Sequence, residues 1–293
     1  GVDYATAFVQ VCILDAKGRQ LGNRRCDNRW KDIADSVAPY GLPVRAAIEA
    51  CTGAADLAAE LLVHAGWSID LAHPGYVRRM KQNPDKTDYT DARMLADLVR
   101  VGYLPLVWLP PLPLRELRRL VRYRQDQVKR RKTLKQRIGS LLRDHRCIPP
   151  PKVNPFTLAW WVWTRSANLA THSRYVLENM RQELDRIQQD IVRTEQYLEE
   201  ATRDDPYVQR LQQIPGLALV TACWMRAEIG DPTRFHNGKQ LARFCGLTPC
   251  NASSGLRQAD AGMIRNTNRA LRGILIEAAH RLRRFSPRWK EMG

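Results

Sequence analysis

The sequence has few acidic residues for its size and no long apolar run. Asp and Glu number 30 against 47 Lys and Arg, which leaves a net charge of +17 over 293 residues. The longest apolar stretch, residues 217–225, is about half as long as a membrane-spanning helix requires. Excess positive charge indicates a polyanionic partner. Nucleic acid is the commonest one, with a membrane surface or a merely solubilising charge as the alternatives.

The cysteines are odd in number and irregularly spaced. The seven cysteines include no C-x-x-C pair, so the sequence indicates neither a disulfide framework nor a zinc ribbon, and a reducing compartment fits best. A hydrophobic fraction of 44% with 26% charged residues is typical of a folded globular chain. A length of 293 residues suits two ordinary domains.

The first hundred residues alternate between strand and helix patterns. Phe8–Leu14 is rich in β-branched residues and leads through the turn at residues 15–18 into a second strand. Residues 44–48 and 68–72 predict further strands, and the apolar helix Ala54–Ala65 lies between them. Strands that alternate with helices favour an α/β layer with some parallel pairing. We assign this domain to residues 1–103.

A basic helical region follows, which we assign to residues 104–205. Four prolines in residues 104–113 exclude a helix there and predict a linker. Residues 114–146 form an amphipathic helix with a basic face, and residues 173–202 resemble a coiled-coil arm. A solvated surface helix is the alternative interpretation of the basic face. The predicted contacts to a nucleic-acid backbone are Arg115, Arg118, Arg119, Arg122, Lys129, Arg130, Arg131, Lys132 and Lys135.

Residues 206–293 predict a mainly helical C-terminal domain. Pro215-Gly216 interrupts two helical stretches and resembles a helix-hairpin-helix turn, which presents backbone amides to a phosphate; a plain helix turn is the alternative. Residues 239–244 and 268–284 are predicted helices, with a polar loop at residues 248–262 between them.

Four acidic residues occupy positions where an α/β nuclease would need them. Asp3 begins the first strand, Glu49 ends a later strand, and Asp88 and Asp91 lie three residues apart at the start of a helix. That spacing puts both aspartates on one helix face, and carboxylate oxygens are the ligands that Mg²⁺ prefers. The alternative is that one of the pair caps the helix.

The chain resembles the bacterial insertion-sequence transposases that carry an Asp-Glu-Asp-Asp domain of Holliday-junction-resolvase type and a C-terminal transposase domain. These enzymes are known as bridge-RNA-guided recombinases. The resemblance spans nearly the whole chain. It rests on Gly1-Val2-Asp3, Ile48-Glu49-Ala50 with Thr52-Gly53, Lys86-Thr87-Asp88, Asp91-Ala92-Arg93, Ile214-Pro215-Gly216, Phe244-Cys245-Gly246-Leu247-Thr248-Pro249, Ser254-Gly255 and Asn268-Arg269.

The resemblance implies an RNase H-like N-terminal domain in which Asp3, Glu49, Asp88 and Asp91 hold Mg²⁺. It also implies that Ser254 attacks a DNA phosphate and becomes covalently linked to the cut strand, although the neighbouring Ser253 leaves the register ambiguous. The partners it implies are donor and target DNA, a structured bridge RNA, and further copies of the chain. The resemblance further implies that dimers assemble into a tetramer and that the serine of one protomer meets the carboxylates of another.

The expected location is the bacterial cytoplasm, with nucleoid association during the reaction. The residues expected to bind DNA near the serine are Arg257, Arg265, Arg269 and Arg272. Two other functions stay open at this point. One is a metal-dependent junction nuclease in which Ser254 is only a turn residue, and the other is a non-catalytic nucleic-acid-binding protein whose acids cap helices.

Overall fold

A computed structural model divides the chain into two units, Gly1–Pro110 and Pro111–Gly293. It describes residues 1–42, 45–81, 87–253, 255, 259–264 and 267–291. The first unit is mixed α/β and the second is mainly helical, in agreement with the predicted fold class. No helix among these residues combines the length and apolar character that crossing a bilayer demands.

The first unit is organised around a mixed sheet. Its strands are β1 (Val2–Tyr4), β2 (Phe8–Leu14), β3 (Gln20–Asp27), β4 (Ala46–Glu49), β5 (Ile69–Ala72) and β6 (Leu106–Val107). Their order across the sheet is β3-β2-β1-β4-β5-β6. The first three strands pair antiparallel, and β4 runs parallel to both β1 and β5. The predicted hairpin and the predicted parallel pairing are thus both confirmed.

Helices cover the two faces of this sheet. On one face, α1 (Trp30–Val37) and α2 (Ala54–Ala65) bury the side chains of alternate strand residues such as Val2 and Ile48. On the other face, α3 (Pro74–Met80) and α4 (Asp88–Arg100) pack on the intervening strand positions, among them Ala47. Because side chains alternate along a strand, Asp3 and Glu49 belong to the α4 face.

The prediction of a linker over residues 104–113 is wrong for Leu106–Val107. These two residues form β6, which pairs antiparallel with β5 through Leu71 with Val107 and Ala72 with Leu106. The prolines do not exclude a short edge strand, because only one side of such a strand needs hydrogen-bond donors. The prediction that no helix includes residues 104–113 is also wrong for the last two residues, because α5 begins at Leu112 and its first turn tolerates Pro113.

The second unit is mainly helical. Its elements are α5 (Leu112–Asp144), α6 (Leu158–Ser166), α7 (Thr171–Thr202), α8 (Pro206–Gln212), α9 (Leu219–Ile229), α10 (Gly238–Phe244), the strands β7 (Pro249–Asn251) and β8 (Asp260–Met263), α11 (Arg269–Phe285) and α12 (Pro287–Lys290). The two strands pair antiparallel, so the prediction of a loop over residues 248–262 is wrong for residues 249–251 and 260–262.

The predicted coiled-coil arm is α7, and its partner is α5 of the same chain. Arg124 of α5 lies 2.5 Å from Glu195 of α7, and Arg131 donates to Gln188 at 2.6 Å. The partner numbers fall as the α5 numbers rise, so the helices run antiparallel. Their shared core includes Leu134, Ile138, Leu184, Ile187 and Ile191.

Candidate active site

Asp3 and Glu49 lie on adjacent strands at the centre of the sheet. Val2 of β1 pairs with Ile48 of β4 in parallel, so the two acidic residues each follow a paired position by one residue. Both side chains are partly buried. Because the two strands are parallel neighbours and both acids lie on the same face, their carboxylates are adjacent. From the sequence, this proximity is predicted only by the positions of the two acids in their strands.

The first turn of α4 supplies the other two acids. Thr87 is the N-cap of this helix, because its Oγ1 accepts a hydrogen bond from the Thr90 amide at 3.2 Å. The alternative in which Asp88 or Asp91 is the N-cap residue of this helix is therefore wrong. Asp91 is 5% exposed and Asp88 is exposed, and their spacing puts them on one side of the helix.

The other three carboxylates all act on the charge of Asp3. The pKa of Asp3 is raised from 3.8 to about 6, first by burial and then by the negative charges of Asp91, Asp88 and Glu49. Since the folded-state pKa exceeds the unfolded one, folding favours the protonated carboxyl. The free energy of unfolding therefore falls as the pH rises from about 4 to about 6. A cation bound among the acids would offset this cost.

Lys81 is the charged residue of this centre that sequence reasoning missed. It directly follows α3, and its Nζ lies 2.6 Å from Oδ2 of Asp91. Its charge also lowers the pKa of Asp3, against the effect of the three acids. No local pattern could have found it, because the pairing depends on how α3 and α4 pack on the sheet.

A network of side-chain amides holds the first turn of α4 on the sheet. Asn23 of β3 donates through Nδ2 to the carbonyl of Tyr89 at 3.0 Å, and Gln10 of β2 donates to Oδ1 of Asn23 at 2.7 Å. Gln20 donates to the Tyr89 hydroxyl at 2.6 Å. Because Tyr89 lies between the two aspartates of α4, these bonds fix the position from which both carboxylates project.

Gly53 brings the loop after Glu49 against the first strand. Its φ is +92°, and a Cβ at this position would overlap the hydroxyl of Tyr4. A side chain is thus excluded both by conformation and by space. The close approach keeps the β4–α2 loop beside β1, the strand that carries Asp3.

The donor set suits a hard divalent cation. Mg²⁺ and Mn²⁺ prefer carboxylate oxygens, and the three acids whose charges raise the pKa of Asp3 add negative charge around it. Within the described part of the chain, no three acidic, histidine or cysteine side chains are arranged as ligands of one ion. Instead, the ammonium of Lys81 forms an ion pair with the Asp91 carboxylate.

The serine region is described in part. Ser254, Arg257 and Arg265 lie outside the residues that the structure describes. Ser253 lies in the β7–β8 hairpin, where its Oγ accepts a hydrogen bond from the Ala259 amide at 3.1 Å and its own amide donates to Asn251 Oδ1 at 2.7 Å. The hydroxyl of Ser253 therefore closes the hairpin.

The basic residues of α5 fall into two groups. Arg119, Arg122, Lys129, Arg130 and Lys132 are exposed, whereas Arg115, Arg118, Arg131 and Lys135 are partly buried. The guanidinium of Arg118 donates to the carbonyls of Ala227 at 2.6 Å and Glu228 at 3.0 Å, and Arg122 lies 2.8 Å from the buried Glu228 carboxylate. Arg118 is thus directed into the protein, while the side chains around residue 130 face solvent.

Arg269 and Arg272, the remaining predicted DNA contacts, both lie at the start of α11. Asn268 caps α11 by accepting from the Leu271 amide at 3.0 Å, and Arg269 in the first turn is exposed. Arg272 is partly buried and its Nη1 lies 3.4 Å from the carbonyl of Ile264. This arrangement puts both arginines next to the end of the β7–β8 hairpin.

The predicted turn at Pro215-Gly216 joins α8 to α9. Gly216 has φ +87°, and a Cβ there would lie 3.1 Å from Cβ of Arg281 and 3.2 Å from the amide nitrogen of Leu282 in α11. The glycine therefore allows α11 to pack closely on the turn. Binding of a phosphate by this turn stays a prediction.

Two family profiles match the sequence. One, a DEDD transposase profile of the IS110 group, matches residues 1–146, and the other, described as the transposase IS116/IS110/IS902 family, matches residues 208–292. The first contains the four acids, and the second contains the hairpin and α11. Together they cover most of the chain.

Curated relatives carry the same designation. The transposase for insertion sequence element IS1111A of Coxiella burnetii is 27% identical over 97% of this chain and 77% of its own length. A probable family 20 transposase of Pseudomonas aeruginosa is 26% identical over 81% of this chain and 70% of its own length. The transposase for IS1328 of Yersinia enterocolitica is 22% identical over the same two shares. The chain therefore belongs to the IS110/IS116 family of transposases, with a DEDD domain at its N-terminus, and is a DNA transposase.

Proposed function

We propose that this transposase is an RNA-guided recombinase that cuts and rejoins DNA through a covalent phosphoserine, with Mg²⁺ held by Asp3, Glu49, Asp88 and Asp91. The observation that carries the proposal is that Asp3 and Glu49 lie on adjacent strands and that the charges of Glu49, Asp88 and Asp91 all act on the Asp3 carboxyl. We assign this centre to residues 1–103 and the serine chemistry to residues 206–293. Residues 104–205 connect the two.

The sheet topology supports an RNase H-like classification of the N-terminal domain. Three antiparallel strands are followed by parallel ones, and the acids lie on the two central strands β1 and β4. The DEDD profile that matches this region indicates a divalent metal. Such a cation would stabilise the negative charge on the attacking and leaving oxygens of a phosphodiester exchange.

The protein's own residues give the carboxylates fixed positions. The amides of Gln10 and Asn23 hold the first turn of α4, and Gly53 holds the loop after Glu49 against β1. Such preorganisation lowers the cost of collecting four like charges at the moment of reaction. Mutations of these three residues would disturb the centre without removing a ligand.

Ser254 is the proposed nucleophile. Its hydroxyl oxygen forms a bond to the scissile phosphorus as the bond from phosphorus to one deoxyribose oxygen breaks, and the departing oxygen takes up a proton in place of the one that the serine loses. The phosphoserine ester conserves the bond energy, so attack by another strand's hydroxyl reseals DNA without ATP. Because the Ser253 hydroxyl already accepts the Ala259 amide, Ser254 is the better candidate of the two.

The exposed cations of α5, with Arg269 near the hairpin, are the proposed contacts to nucleic-acid backbones. A protein that reads backbone shape can leave sequence recognition to base pairing with a guide RNA, which is the arrangement that the family resemblance implies. Dimers that assemble into a tetramer would bring the serine of one protomer to the carboxylates of another. Arg118 is a weaker candidate for these contacts than its neighbours, because its donors bind α9.

Strand exchange reconstituted with purified protein tests the proposal. With donor DNA, target DNA, the cognate structured RNA and Mg²⁺, we expect recombinant junctions that disappear when either the RNA or the Mg²⁺ is left out. DNA cut without a protein–DNA adduct would instead indicate the junction nuclease. Binding without any cleavage would indicate a non-catalytic protein, and both results would contradict the proposal.

A further inference from the structure

The ion pair between Lys81 and Asp91 lies at the point where a divalent cation would have to bind. The ammonium is 2.6 Å from Oδ2 of Asp91, and the two side chains are 21% and 7% exposed. Asp91 is the most buried of the four acids. A buried carboxylate without a cation is strongly destabilised, so Lys81 supplies the charge that Asp91 needs when no metal is bound.

Lys81 lies at the end of α3, next to an open cavity. The residue follows the last turn of α3 with an extended backbone, φ −65° and ψ 119°, so it is not held within the helix. An open cavity of about 470 Å³ adjoins the ion pair and is lined by Lys81, Asp91, Arg93 and Arg100 among others. The cavity therefore offers the ammonium space away from Asp91.

We propose that Lys81 is an internal counter-ion that stabilises Asp91 in the metal-free enzyme and competes with the divalent cation for the same carboxylate. This inference rests on the proposed metal-binding function of the four acids. It assigns Lys81 a positioning role with two opposite consequences. The lysine stabilises the free protein, and it weakens metal binding because a positive charge and a divalent cation repel each other at close range.

The test compares Lys81→Gln with wild type in the full-length protein, using Mn²⁺ as the probe in titration calorimetry. We expect Mn²⁺ to bind Lys81→Gln on the order of tenfold more tightly, because a unit charge next to the site is removed. Without metal, Lys81→Gln should melt at a lower temperature than wild type, and Mn²⁺ should raise its melting temperature by more. Lys81→Arg, which keeps the charge, should bind Mn²⁺ nearly as wild type does and shows that the fold tolerates a change at this position.

Lys31→Gln is the matched control. Lys31 is exposed on α1, which packs on the opposite face of the sheet, so this variant removes the same charge from the same unit and should bind Mn²⁺ as wild type does. If Lys81→Gln binds Mn²⁺ no more tightly than wild type while Asp91→Asn abolishes binding, the inference about Lys81 is overturned and the metal centre stands. If wild type binds no Mn²⁺ at all, the metal centre itself is wrong and the inference is overturned with it.

Discussion

Asp91→Asn is expected to lower Mg²⁺-dependent DNA cleavage and rejoining by about a thousandfold or more, because it removes a carboxylate that stabilises charge at the reacting phosphate. Asn has nearly the same volume as Asp, so packing around this buried position is retained. The loss of cleavage activity therefore measures the contribution of the negative charge of Asp91. Cleavage rates measured with saturating Mg²⁺ on a single DNA substrate provide the comparison.

Asp97→Asn is the control for this variant because it makes the same chemical change on the same helix. Asp97 is 47% exposed, and its carboxylate lies 2.7 Å from the guanidinium of Arg100, which is three residues further along α4. Its loss removes a surface ion pair, which contributes little to stability. We expect the wild-type cleavage rate. Cleavage by Asp91→Asn at more than about a tenth of the wild-type rate would contradict a metal-ligand role for Asp91.

Ser254→Ala is expected to abolish the covalent protein–DNA adduct, since no other group would then carry the phosphoryl bond. Ser253→Ala should retain the adduct. The Ser253 hydroxyl accepts the Ala259 amide across the hairpin, so its removal loosens the loop without removing the nucleophile. Denaturing gels of labelled DNA detect the adduct, and mass spectrometry of the trapped peptide identifies which serine bears the nucleotide.

The two adjacent serines make the result decisive. An adduct that survives in Ser254→Ala and is lost in Ser253→Ala would reverse the assignment and make the hydrogen bond to Ala259 a resting-state contact. DNA that wild type cuts with no adduct on either serine would show that water is the nucleophile. The four acids would then act as a junction nuclease.

Much of the N-terminal fold could be predicted because its signals are local. The strand Phe8–Leu14 and the helix Ala54–Ala65 have the predicted bounds, since β-branched runs, turn residues and a terminal glycine all act within a few positions. Strand positions also predicted that Asp3 and Glu49 would meet. From the sequence, only Asp88 and Asp91 are considered as possible caps of α4, whereas the structure assigns the N-cap to Thr87.

The parts that could not be predicted depend on contacts between distant segments. Lys81 reaches Asp91 only after α3 and α4 have packed on the same face of the sheet, and Asn23 reaches Tyr89 from 66 residues away. The basic face of α5 shows the same difficulty. Charge patterning predicts a nucleic-acid surface but does not reveal that Arg118 donates to α9.

The most direct measurement of the central claim is the position of bound Mn²⁺ in crystals of the wild-type protein, located by anomalous scattering. The four-carboxylate centre predicts a peak coordinated by Asp3 and Asp91, with oxygen distances of about 2.0–2.3 Å. The ammonium of Lys81 should then be displaced from Asp91. A crystal soaked to saturation that shows Mn²⁺ only at exposed surface acids such as Asp126, with the Lys81–Asp91 pair intact, would contradict the account.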